Sequence, residues 1–393
     1  MTTYERRGGA LKRKARVALV PAVGAFAALA IAACGGSSSK TTSSGSSSGG
    51  SSSTDWSTVA SAQSGGGMAA LVKAAEKEGK LNVITLPADW ANYGTQMKEF
   101  KAKYHIAITD EIPEGSSSQE IQAIKSDRGD AQAPDVVDVG QSFALQDAAL
   151  FAPYKVATWN DIPAANKDSA GRWFNDYGGY VSFGCDMKVV KSCPTSWAQL
   201  SEPQYKNAIS LNGVPGQASA ATMAVWAAAL NNGGSLSDVE PGLKFFAKLK
   251  SEGNLNSTDC DSTSVIAAGQ CPVMINWDYL NVANGQALGA GKYKVNVPTG
   301  KPFAAYYAQA INAQAPHPAA ARLWEEFLYS TDGQNNFLKG FARPIEMPAM
   351  QQAGTIDQAA AANLPPVHGT AEFPTMAELT NAGDVIAKGW PSL

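Results

Sequence analysis

The chain predicts an α/β protein, and three observations carry that expectation. Short apolar strands alternate with amphipathic helices. Several of those helices stop at a glycine. Residues 67–393 make a body of 327 residues, long for one hydrophobic core and comfortable for two lobes.

Element by element, residues 68–77 put Ala69, Leu71, Val72 and Ala75 on one helical face, with Gly79 as the stop. Residues 81–86 read as a buried strand, and 95–104 as a helix with Met97, Phe100 and Tyr104 at helical spacing. A strand at 107–112, a helix at 118–127 ended by Gly129, and a strand at 134–140 complete a first region. This succession is the repeat of a wound parallel or mixed sheet, where ligands bind beyond the C-terminal strand ends. Two loops meet that description. One carries Asp89, Trp90 and Tyr93, the other Gln141 and Ser142.

A second α/β region opens near Phe183, with a short strand at 208–211 and a very apolar helix at 220–230. Ser219 opens that helix, as an N-cap or as a group that places an anion at the helix start. The helix at 241–252 has proline in its first turn and Gly253 past its end. A strand at 271–276 leads into Trp277, Asp278 and Tyr279. A strand at 306–312 and a helix at 318–329 follow. After Gly333 the chain is rich in Ala, Gln and Pro and yields no element.

Ahead of the body, Arg6, Arg7, Lys12, Arg13, Lys14 and Arg16 precede an uncharged run over 17–33 that ends in small residues before Cys34. This is the plan of an export signal. With a cysteine at the cleavage point it resembles a bacterial lipoprotein signal, residues 31–34 being the lipobox. Residues 1–33 are then removed, and acyl chains on Cys34, palmitate among them, hold the protein on the extracytoplasmic face of the cell membrane. Removing six basic residues and one acid from totals of 31 and 34 leaves 25 and 33, a net charge of −8. That balance disfavours nucleic acid, whose phosphates call for cationic contacts. The Gly/Ser/Thr-rich stretch 35–66 reads as a tether with a reach of roughly 30 Å.

Cys185, Cys193, Cys260 and Cys271 suit an oxidising compartment. Four cysteines allow three pairings; the local one, Cys185 with Cys193 and Cys260 with Cys271, is the simplest. A zinc site fails on spacing, because there is no C-x2-C pair and the three histidines lie far off in sequence. No metal or cofactor is expected. Catalytic patterns are also missing: there is no G-x-S-x-G elbow, no H-E-x-x-H and no phosphate loop ending in Lys-Ser/Thr.

Aromatic residues do flank acids at the expected cleft. Trp90 and Tyr93 flank Asp89, and Trp277 and Tyr279 flank Asp278. Tyr180 sits on an expected inter-lobe crossing, and Tyr307 begins another. Ring faces with carboxylates suit a cation.

Certain phrases carry a family resemblance over residues 68–345. They are Lys73-Ala-Ala-Glu-Lys-Glu-Gly-Lys80, Pro134-Asp-Val-Val-Asp-Val139, Pro194-Thr-Ser-Trp-Ala-Gln-Leu200 with Pro203-Gln-Tyr-Lys206, and Ala315-Pro-His-Pro-Ala-Ala-Ala321 running through Phe327-Leu-Tyr-Ser330 to Gly333-Gln334. The chain resembles the extracellular solute-binding lipoproteins of ABC importers, in the class that holds polyamine, ferric-ion, thiamine and phosphonate binders. The resemblance implies a two-lobed, type II periplasmic-binding-protein-like fold with crossing hinge strands. Lobe 1 would span 67–182 with a return near 278–308, and lobe 2 would span 183–277 with 309–393. It further implies a monomer that closes on a small solute and docks on membrane permease subunits, without catalysis. Ferric binders of the class carry two adjacent tyrosines where this chain has Asp278 and Tyr279. Polyamine binders carry an aromatic box with acids, matched here by Trp277. A polyamine or other organic cation is therefore expected, with ferric ion, thiamine or a phosphonate as alternatives. A secreted hydrolase using Asp89 and Asp278 is the rival from another class, and needs the two acids roughly 5–9 Å apart in one cleft.

Overall fold

The computed structural model describes residues 54–393 apart from 259, 261, 290 and 372. Cys34 and the expected signal lie outside the described residues. Residues 54–66, expected as part of the tether, are folded onto the body. Trp56 is 6% exposed against Gly65, Arg322 donates to the carbonyls of Ser57 and Val59, and the Lys155 amide donates to that of Ala60. One large aromatic and one buried guanidinium thus bind residues 54–66 to the body.

The first region runs α1 (Met68–Glu78), β1 (Lys80–Ile84), α2 (Tyr93–Tyr104), β2 (Ala107–Glu111), α3 (Ser117–Ser126) and β3 (Val136–Gly140). Then come α4 (Gln141–Gln146), β4 (Phe151–Ala152) and the thirteen-residue β5 (Phe174–Asp186). The second region holds β6 (Ile209–Leu211), α5 (Ser219–Asn231), α6 (Glu240–Glu252), α7 (Thr263–Ala267), β7 (Val273–Trp277) and α8 (Asp278–Leu288). The chain continues through β8 (Tyr293–Asn296), β9 (Ala304–Asn312), α9 (Pro318–Leu328), α10 (Thr331–Lys339), β10 (Arg343–Pro344), α11 (Met347–Ala353), α12 (Gln358–Ala361) and α13 (Met376–Gly389). Among the described residues no helix is long and apolar enough to cross a membrane.

β1 and β2 form a parallel pair, while the large sheet runs β3-β9-β5-β7-β6. β5 is its axis. The first part of β5 pairs with β9 and β10, and the second part pairs with β7 and β8, so one strand carries the chain from the first region to the second. All pairs in this sheet are antiparallel except β6 with β7, which makes it mixed. A register shift between Asn175 and Gly178 sets Asp176 and Tyr177 opposite Tyr307 alone. Such a bulge re-aims side chains, and here it turns Asp176 and Tyr177 into the interior.

Both disulfides follow the local pairing, Cys185 with Cys193 and Cys260 with Cys271. The grouping of 309–393 with the second region needs correction. α9 packs on α1, and the Glu78 carboxylate accepts from the first-turn amides of Ala319 and Ala320, satisfying donors that a helix start leaves open. α10 packs on α2, where Gln96 donates to the Gly333 carbonyl. α13 and the C-terminal Trp390 and Leu393 after it reach the second region, α13 on α5 and α6, Trp390 on Phe246 and Leu393 on Lys250, and α13 touches α4 as well.

Candidate functional site

Five segments converge on a cavity of about 190 Å³. The β1–α2 loop brings Thr85, Pro87 and Trp90. The β2–α3 loop brings Glu114 and Ser116, and α3 adds Ser117, Gln119 and Glu120. Asp138 comes from β3 and Tyr307 from β9. Residues 212–214 and 217–218 lead into Ser219 and Ala220 of α5. The walls are therefore mainly loops at the C-terminal ends of β1, β2 and β6, where open α/β sheets bind ligands, with Asp138 of β3 and Tyr307 of β9 between them.

Two helices, α3 and α5, begin at this cavity, and neither has a side-chain cap. First-turn amides have no acceptor inside the helix, and the aligned peptide dipoles add partial positive charge there. Two such starts facing one space suit an anion electrostatically. The close approach of β3 to α5 depends on Gly140, since a Cβ at that position would lie 2.2 Å from Ser219 Oγ and 2.5 Å from Ser219 Cβ.

The opposite chemistry lies on the floor. Asp138 is 5% exposed, and its Oδ2 accepts from the Tyr93 hydroxyl at 2.9 Å and from the Tyr177 hydroxyl at 2.7 Å. Asp138 Oδ1 has no partner among the described residues. The Glu120 carboxylate accepts from the Asp138 amide at 3.0 Å. Asp176 stands behind, accepting from Gln309 Nε2 at 3.0 Å, and the Tyr93 hydroxyl lies 3.2 Å away. Burial drives all three carboxyls towards the neutral form. Asp138 is raised well above the usual range by burial and then by the Asp176 charge, Glu120 by burial and then by Asp138, and Asp176 is pushed up to about 7 by burial. The cavity thus offers helix starts to an anion and carboxyl oxygens to a donor or cation.

Of the expected site residues, Trp90, Ser219 and Tyr307 line this cavity. Trp90 packs edge-on against Tyr279 and Tyr307 and donates through Nε1 to Tyr177. Tyr93 lies beneath the floor. Asp89 is exposed on a smaller adjoining space shared with Trp90, Glu114 and Asn212.

The expected open Trp-Asp-Tyr cage gives way to a packed cluster. Trp277 and Tyr279 are buried and stacked on each other. Asp278 is 0% exposed and pairs with Arg343 at 2.5 Å, while its other oxygen accepts from the amides of Tyr180 and Tyr279. The Tyr180 ring faces the Arg343 guanidinium at 4.7 Å. Arg343 supplies the buried partner that Asp278 requires, and it comes from a stretch where the sequence yields no element. Gln141 and Ser142 form the first turn of α4, buried where α13 packs, and not a loop at the cavity.

Glu114, Ser116, Ser117, Glu120 and Asp138 stand outside the sequence expectation. The run Ser116-Ser117-Ser118 ahead of a periodic helix is an N-terminus signature that points to the first of these groups. An acid inside the otherwise apolar strand Val136–Gly140 points to Asp138.

A family model described as bacterial extracellular solute-binding protein matches residues 131–366. A Salmonella typhimurium protein, whose name describes it as 2-aminoethylphosphonate-binding and periplasmic, is 29% identical over 180 residues, 45% of this chain. The match spans about half that relative's length, 48%. Among solved structures, the periplasmic binding protein AfuA from Actinobacillus pleuropneumoniae, with fructose-6-phosphate bound, aligns with a TM-score of 0.63 at 16% identity, over 80% of this chain and 98% of that one. Iron-bound HitA from Pseudomonas aeruginosa aligns at 0.57 and 18%, over 79% and 98%. These likenesses show the fold, the two-lobed type II architecture of periplasmic binding proteins. The match to the family model covers more than half of the sequence, and the chain belongs to the bacterial extracellular solute-binding proteins.

Proposed function

We propose that this protein is the solute receptor of an ABC importer, and that its solute is a small zwitterion with a phosphonate-type anion and an amine. One observation carries the reading: two uncapped helix starts and the carboxyls of Glu114, Glu120 and Asp138 face the same cavity. A purely cationic polyamine would use the acids but would meet the positive ends of two helices. An anion without an amine would use the helix starts but meet the carboxyls. The printed name of the Salmonella relative supports the same class.

The walls come from the two ends of β5's sheet, α3 and β3 on one side and α5 on the other. A solute touching both sides favours the closed form by contacts absent when the lobes part, and that form docks on the permease. We assign lobe 1 to 67–182 with 304–344, and lobe 2 to 183–303 with α13, because β8 pairs with the second part of β5 and β9 with β3 and the first part. Tethering by lipid on Cys34, after loss of residues 1–33, belongs to the same proposal. Membership of the family itself places the chain outside the cytoplasm.

Thermal shift and calorimetry with 2-aminoethylphosphonate, inorganic phosphate, putrescine, thiamine and ferric citrate test the ligand class. The aminophosphonate is expected to bind most tightly. Binding of putrescine or ferric ion alone would overturn the reading and return the polycation or metal alternatives.

A further inference from the structure

We propose that Asp138 is the receptor for the solute's ammonium group, and that this carboxyl surrenders its proton to the surrounding buffer when the ammonium arrives. The inference rests on the zwitterion reading and names the residue and the proton balance of the site. Asp138 lines the cavity and, among the described residues, uses its two carboxyl oxygens unequally. Oδ2 takes the Tyr93 and Tyr177 hydroxyls, and Oδ1 is buried and unpartnered.

That asymmetry locates the proton. An oxygen already accepting from two hydroxyls has no room to carry hydrogen, so a neutral Asp138 holds its proton on Oδ1. The titratable groups facing Asp138 are Glu120 from α3, Tyr93 from α2, Asp176 and Tyr177 from β5, Tyr307 from β9 and Glu325 from α9, with Tyr279 from α8 and Tyr329 past α9 behind them. All are acids or phenols, and none brings a positive charge to a carboxylate at this point. The empty site therefore keeps the carboxyl protonated. A solute ammonium supplies the missing cation. The Oδ1–H bond breaks, the proton leaves to buffer, and the ammonium donates to the carboxylate, with no covalent bond formed.

Calorimetry of the full-length protein near neutral pH, repeated in buffers of different ionisation enthalpy, tests this with 2-aminoethylphosphonate and ethylphosphonate. The amine-bearing ligand should release about one proton more than the amine-free one, and should bind about 100-fold or more tightly, because the amine-free ligand leaves Oδ1 unpaired. Asp138→Asn should abolish the excess proton and most of the preference for the amine-bearing ligand, with folding of the variant read separately from its thermal unfolding transition. Equal affinity for the two phosphonates, or no excess proton in the unmodified protein, overturns the role of Asp138 and leaves the phosphonate reading standing. Failure of both phosphonates to bind overturns the reading and this inference together. If Asp138→Asn does not fold, the buffer series on the unmodified protein still decides.

Discussion

Asp138 at the cavity and Asp278 at the β7–α8 junction are both buried aspartates, and the difference between them is the partner. Asp278 has a guanidinium at 2.5 Å and two backbone amides. Asp138 has two phenols on one oxygen and, among the described residues, no partner on the other. Burial raises both carboxyls, but at Asp278 the Arg343 charge and hydrogen bond oppose it. A buried acid whose counter-charge is built into the chain holds the fold together. A buried acid whose counter-charge is missing is poised for something that arrives from outside. The sequence signal for a cation site, an acid between two aromatics, selects the first kind.

The largest expected effect comes from breaking the satisfied site. Arg343→Met leaves Asp278 buried and uncompensated, and should cost about 3–5 kcal/mol in denaturant unfolding. The cost should grow as pH rises, because an Asp278 raised further in the fold binds a proton that the unfolded chain gives up. Asp138→Asn, by contrast, should change stability by less than about 1 kcal/mol, because it removes no ion pair. Comparable losses at the two sites would end the distinction.

A smaller effect tests whether the cavity depends on the contact between β3 and α5. In Gly140→Ala the new methyl would meet Ser219 at both Oγ and Cβ, and rotating the serine clears only the oxygen. The strand and helix must then separate, at a cost of about 1–3 kcal/mol, and ligand affinity should fall with it. Adding Ser219→Gly should recover most of the stability. An unaltered melting temperature in the single variant would mean that the two elements do not constrain each other.

Much of the scaffold was legible because its boundaries have local causes. Gly79 and Gly253 end α1 and α6 in the left-handed conformation, and Pro241 opens α6, all as their positions suggest. β5 was less legible, since Gly178, Gly179 and Gly184 interrupt its apolar pattern and the bulge breaks its alternation. α10 and α13 escaped because most of their side chains are polar or small, and their burial is decided by α2, α4, α5 and α6, distant in sequence. The site divides the same way. Ser219 could be read from a helix start. The roles of Asp138 and Asp278 could not, because they turn on which residue stands opposite, and Arg343 lies 65 positions from Asp278.

The finest test uses a third buried aspartate, three residues before Asp138 and just ahead of the same strand. Asp135 accepts from the amides of Asn82 and His317 and lies 2.9 Å from His317 Nδ1, so its partner is a group that can be switched on. The Asp135 hydrogen bond is the main cause that raises His317 above its ordinary value of 6.5. A raised folded value means that the folded chain holds the proton more tightly than the unfolded one. The pair's contribution is therefore complete below about pH 6.5 and is lost as pH rises through the folded value. Because the imidazole is partly in contact with solvent, this contribution should stay below about 1 kcal/mol. Unfolding curves of His317→Gln and the unmodified protein should differ at pH 5.5 and converge by pH 9. Were the gap instead constant with pH, Asp135 would be satisfied by its backbone donors alone, and an intermediate class between Asp278 and Asp138 would disappear.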